Sequence, residues 1–147
     1  MGSAAVTSMW VALAVALAAP QAVLEELTPT TIAQGTDSAI TEPRQVVART
    51  TDEWRALWSA HSSGALPSVD FSRAIVVGIF LGSRPTPGYR VTVVGATAKD
   101  ATAVVRFVED RPDQDAILPQ VLTTPFHLVT LPARVQSVTL QRVEPTR

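Results

Sequence analysis

Residues 73–94 read RAIVVGIFLGSRPTPGYRVTVV. The first part, residues 74–81, is apolar on both alternating faces. Ala74, Val76 and Phe80 fall on one side; Ile75, Val77, Ile79 and Leu81 fall on the other. A strand with two apolar faces belongs in the middle of a sheet that is covered on both sides. Residues 89–94 alternate instead: Tyr89, Val91 and Val93 share one face, Arg90 and Thr92 the other. That pattern predicts a half-exposed strand. GSRPTPG joins the two, and the pair reads as a hairpin with a long connection.

Working outward, the C-terminal side supplies further strands. Residues 95–100 read as a turn. A strand follows at 102–109, with Ala103, Val105 and Phe107 on its inner face and Arg106 opposite. Residues 110–119 form a polar loop, and strands at 126–131 and 135–143 close the chain. On the N-terminal side, 31–33 and 45–48 are short strand candidates. Between 50 and 62 lies one clear helix. Thr50 caps it and Glu53, three residues on, completes a capping box. Trp54, Leu57, Trp58 and His61 then recur at i, i+3, i+4 and i+7 as one stripe, read as the face that packs on the sheet. Strands, one helix and a run of strands with short connections predict an α+β fold. Its sheet is mainly antiparallel, sandwich or barrel-like, with one helix packed on a face.

The chain has 147 residues, 46% hydrophobic and 17% charged, which suits one globular domain. Its net charge of -1 and the lack of a basic run argue against nucleic acid as a partner. It has no cysteine, so disulfides, thiolate nucleophiles and Cys-ligated zinc are ruled out. Residues 10–19, WVALAVALAA, have the length of a signal-peptide core and end in small residues, although no Lys or Arg precedes them. The expected organisation is therefore a signal peptide at 1–22, a connector at 23–30 and a single domain at 31–147. The expected location is extracytoplasmic, with no stable membrane span after processing.

Chemistry is sparse. His61 and His127 have no recognisable nucleophile partner and no G-x-S-x-G is present. His127, flanked by Phe126 and Leu128, is read as a partly buried histidine bonded to backbone. Glu109, Asp110, Asp113 and Asp115 lack the Gly and terminal Glu of an EF-hand loop and are read as a solvated surface cluster. No enzymatic activity and no cofactor are expected. The loop at 82–90 is the main feature left over. Pro85 and Pro87 stiffen it, and Gly82 and Gly88 permit positive φ at its ends. Arg84 and Tyr89 are residue types enriched in interface hot spots. Composition leaves a binding loop and an idle connection both open.

TDEWRALW, SVDFSRAIVVGIFLGSRPTPGYRVTVV and LTTPFHLVTLP together resemble the domain of PrcB-like protease-complex subunits, from about residue 31 to 138. GSRPTPGY followed by TTPFHLV is the most specific part; the usual loop is close to RPTGGY, and here Pro87 replaces the first Gly. The resemblance implies an exported, non-catalytic subunit that associates with a secreted protease and stabilises it. RPTPGY is also faintly similar to the NPTTGY loop of chagasin-like cysteine-protease inhibitors. That similarity implies the alternative, an inhibitor presenting residues 82–90 to a protease cleft. The expected partner surface comprises Arg84, Pro85, Thr86, Pro87, Gly88 and Tyr89, with Phe126 and His127 beside them. On that reading an Arg84→Ala change leaves folding almost untouched.

Overall fold

A computed structural model describes residues 2, 14–16, 18 and 23–146. The expected signal peptide lies otherwise outside the described residues. Eight strands and one helix follow in the order β1 (Leu24–Leu27), β2 (Thr30–Gly35), β3 (Arg44–Ala48), α1 (Thr51–His61), β4 (Ala74–Phe80), β5 (Arg90–Lys99), β6 (Thr102–Asp110), β7 (Phe126–Pro132) and β8 (Ser137–Arg142). They make two four-stranded sheets, β1-β5-β6-β8 and β2-β7-β4-β3, stacked as a sandwich. The fold is α+β and mainly β. Among the described residues no helix is long and apolar enough to cross a membrane.

The double apolar face of β4 places it as expected. It sits between β3 and β7 and is buried from Ile75 to Phe80. Ile75 and Val77, with Val129 and Leu131 of the neighbouring β7, face the second sheet, where they meet Ala96, Ala98, Ala103 and Val105. Val76 and Phe80 face outward and are covered by Trp54 and Leu57 of α1. The helix begins where predicted, with the Thr50 hydroxyl accepting from Glu53 N at 3.2 Å. The Glu53 carboxylate accepts from Arg49 N rather than from the capping residue, so the reciprocal half of the box is shifted by one position.

Three expectations change. First, β4 and β5 are not a hairpin. Both edges of β4 are taken by β3 and β7, so β5 goes to the facing sheet and residues 81–89 cross the end of the sandwich. Second, 23–30 is not merely a connector, because Leu24 to Leu27 pair with Ala96 to Lys99 as an edge strand. Third, 95–100 is not a turn. β5 runs on to Lys99 after a bulge between Val93 and Gly95, and the turn shrinks to Asp100 and Ala101, with Asp100 at φ 55°. Gly95 marked that bulge, as an isolated glycine in a strand often does. The sheets are mainly antiparallel, as expected, with β8 running parallel to β6. The intervening strand β7 belongs to the opposite sheet and makes the return stroke, so short connections suffice.

Candidate partner-binding site

The crossing loop is fixed by its glycines and by a second loop. Gly82 has φ 76°, and a Cβ there would meet Pro43 N at 2.7 Å and Thr41 O at 2.8 Å. Only glycine fits that backbone crowding without strain. Arg84 and Thr123 exchange backbone bonds of 2.7 and 2.9 Å, and the Thr123 hydroxyl donates to Thr86 O at 3.0 Å. Gly88, at φ 98°, lies against Pro112, whose Cβ would be 2.7 Å from an added methyl. Residues 82–90 and 111–125 therefore form one composite surface, with an open cleft of about 370 Å³ between them lined by Thr86, Tyr89, Pro112 and Leu118.

The expected site residues divide. Pro85 and Gly88 are exposed, while Thr86, Pro87 and Tyr89 are half-buried at the same surface. Arg84 turns inward. Its Nη1 donates to Leu81 O at 2.9 Å, and its Nε and Nη2 donate to Glu109 Oε1 at 3.3 and 3.1 Å. The guanidinium carbon lies 5.8 Å from the centre of the Tyr89 ring. Arg84 is thus the anchor of the loop, and its donors are not free for a partner. The counterpart, Glu109, is not a solvated surface acid. Its side chain is 3% exposed, and Arg142 and Arg111 also approach it, at 3.1 and 3.8 Å. A carboxylate can be held at that depth because guanidinium groups replace its water.

Phe126 and His127 do not join the surface. Phe126 is 5% exposed, packs its ring near His61 and Phe80, and belongs to the core beneath α1. His127 is 3% exposed and points between the sheets. The backbone pattern requires this: alternate residues of β7 face opposite ways, and both faces of the strand are covered.

His127 has a definite structural task. The Val93 amide, beside the β5 bulge, donates to its Nδ1 at 2.8 Å. The ring is therefore neutral, with its proton on Nε2, which lies 2.9 Å from Thr31 Oγ1 and donates to it. Burial, and then the positive charge of Arg90, push the His127 pKa below its ordinary value. Gln34 adds bonds across the same gap, to Val91 O at 2.8 Å and Thr92 Oγ1 at 3.1 Å. His61 is likewise buried, with Nδ1 2.8 Å from Ser38 Oγ. Burial lowers its pKa, partly offset by Asp37.

Two features escaped sequence reasoning. Glu109 was hidden in an acidic run, although its place on the Ala103-Val105-Phe107 inner face was a usable signal. The exposed apolar residues Ile117, Val121 and Leu122, at 100, 54 and 73% exposure, lie in or just beyond the segment 110–119 that reads as a polar loop.

Residues 75–132 match the family described as PrcB C-terminal. The match runs from β4 through β7 and so includes both loops of the composite surface and the Arg84–Glu109 pair that fixes them. It agrees with the family resemblance carried by the sequence motifs. Neither curated proteins nor solved structures gave a match.

Proposed function

We propose that this chain is an exported, non-catalytic protein-binding domain that associates with a secreted protease through the surface formed by residues 82–90 and 111–125. The observation that carries the reading is the match over 75–132, which points to a protease-complex subunit family and spans that surface. The physical features agree. Two prolines narrow the loop's free ensemble, so little entropy is lost on docking. Exposed apolar residues at 117, 121 and 122 stand beside it, as at surfaces that are covered by partners. The tethering of Arg84 and Thr86 holds the loop down against its neighbour, which favours a broad docking face over a wedge inserted into a cleft.

The test is capture from the native host's envelope or medium using the mature domain as bait, with partners identified by mass spectrometry. A protease should be recovered by the wild type and lost with a Tyr89→Ala, Leu122→Asp double variant that still melts cooperatively. N-terminal sequencing of the native protein should find residues 1–22, or nearly all of them, removed. Inhibition of the captured protease, in place of its stabilisation, would favour the inhibitor reading.

A further inference from the structure

The two flanks of the sandwich differ. On one, the chain passes directly from β1 in one sheet to β2 in the other, and Gln34 and His127 stitch the gap. On the other flank the edge strands β3 and β8 face each other, and among the described residues neither has a strand on its outer side. Arg49 spans this flank at one end by donating to Val135 O and Gln136 O. Toward the other end it opens as a groove of about 570 Å³. Ile79, Phe107 and Leu140 line its floor, and Arg44, Arg84 and Arg142 border it.

The charge there is unbalanced. Three guanidinium groups line the groove against one carboxylate, Glu109, whose two oxygens already receive Arg84 and Arg142. Arg44 is exposed and pairs with no carboxylate among the described residues. The two edges differ as well. Pro43 immediately precedes β3 and blunts its start, whereas β8, SVTLQR, carries no Pro or bulge, and its one charged residue, Arg142 at the very end, is turned onto Glu109. An edge without those devices is a template for another strand. Its half-buried residues, Val138 and Leu140, face the core, so an added strand would continue an existing apolar face.

We propose that this groove receives an extended segment of a partner protein, added as a strand along β8, with an acidic residue placed among alternating apolar ones. Main-chain pairing supplies the adhesion, the alternation matches the pleat, and the carboxylate answers the unpaired charge of Arg44. This inference does not depend on docking at the 82–90 surface.

Selection from a phage-displayed library of random peptides of about twelve residues, panned on the full chain, tests it. Enriched peptides should alternate apolar residues and carry Asp or Glu. Arg44→Glu, at an exposed position outside the core, should raise their Kd about tenfold or more, and affinity should fall as salt rises. Alternate backbone N-methylation of the peptide should abolish binding, and the amides of β8 should gain hydrogen-exchange protection in the complex. Absence of enrichment, peptides without acids, or equal binding by Arg44→Glu would overturn the proposal. Protection confined to residues 83–90 and 116–122 would also overturn it, while leaving the docking surface proposed above intact.

Discussion

Replacing His127 by Leu isolates the bond between the sheets from mere packing, since the two side chains are of comparable size. The change removes the acceptor of the Val93 amide, and an unpaired buried donor costs about 1–3 kcal/mol. Thr31 is exposed and recovers a water bond, so its share is small. The buried imidazole's own desolvation cost disappears, which leaves a net loss of about 1–2 kcal/mol at pH 7.5. That matters against the 5–15 kcal/mol typical of whole domains (a rough range). The pH dependence is the sharper signature. The folded pKa of His127 lies below the ordinary value of 6.5, so the unfolded chain takes up the proton first. Stability is then full above about pH 6.5 and is lost as pH falls through the folded pKa, with a slope of at most about 1.4 kcal/mol per pH unit for each such histidine. His61 is shifted in the same direction, so the wild type loses at most about 2 kcal/mol in the first unit below 6.5, where the unfolded histidines are only partly protonated. His127→Leu retains only the His61 share. Urea unfolding of both proteins, followed by tryptophan fluorescence at pH 7.5 and 5.5, should show the gap between them narrowing in acid. Carboxylates common to both proteins cancel in that difference. A gap of the same size at the two pH values would refute the account of His127 as an obligatorily neutral acceptor.

Glu109→Gln should cost about 2 kcal/mol, since it leaves three arginines facing a neutral amide; their partial exposure keeps the figure below that of a fully buried broken pair. Arg84→Ala should cost about 1–2 kcal/mol, more than an exposed substitution, and should raise hydrogen exchange in residues 83–90; a change within about 0.5 kcal/mol by urea titration would show that Arg84 is no anchor. Gly82→Ala should lower stability by about 1–3 kcal/mol, because its methyl meets backbone atoms at positive φ, whereas Gly64→Ala, at an exposed position, should stay within about 0.5 kcal/mol in the same thermal melts. Pro85→Gly with Pro87→Gly should weaken capture of the protease by restoring the loop's entropy, at a cost of about 1–2 kcal/mol in fold stability that leaves the melt cooperative.

Local patterning in the sequence was a sound guide wherever one face of an element met one neighbour. The Trp54-Leu57-His61 stripe, the two faces of β4 and the inner residues of β6 were all legible, because burial follows period 3.6 or period 2 directly. Pairing was not legible. Nothing in GSRPTPG distinguishes a hairpin from a crossing between sheets, since that choice depends on β3 and β7 having claimed both edges of β4. The parallel partnership of β6 and β8 is hidden for the same reason. At the site, loop stiffness and the two positive-φ glycines could be read from composition. The direction of a side chain could not: Arg84 finds Glu109 only because two strand ends meet in space, and His127 acquires its role from a bulge in a strand of the other sheet.

The parallel pairing of β6 with β8 also bears on when the domain can form. One sheet lacks its edge until β8 exists, and the other lacks its centre until β7 exists. Both strands come from the last quarter of the sequence, so a chain still emerging from its N-terminus can complete neither sheet. Local helix formation at α1 cannot substitute, because the surface that α1 covers is built from β4 and β7. Folding is therefore an event of the whole chain, governed by the search for distant partners. It belongs with the millisecond-to-second regime of non-local β topologies, roughly, and not with the microsecond regime of helical bundles.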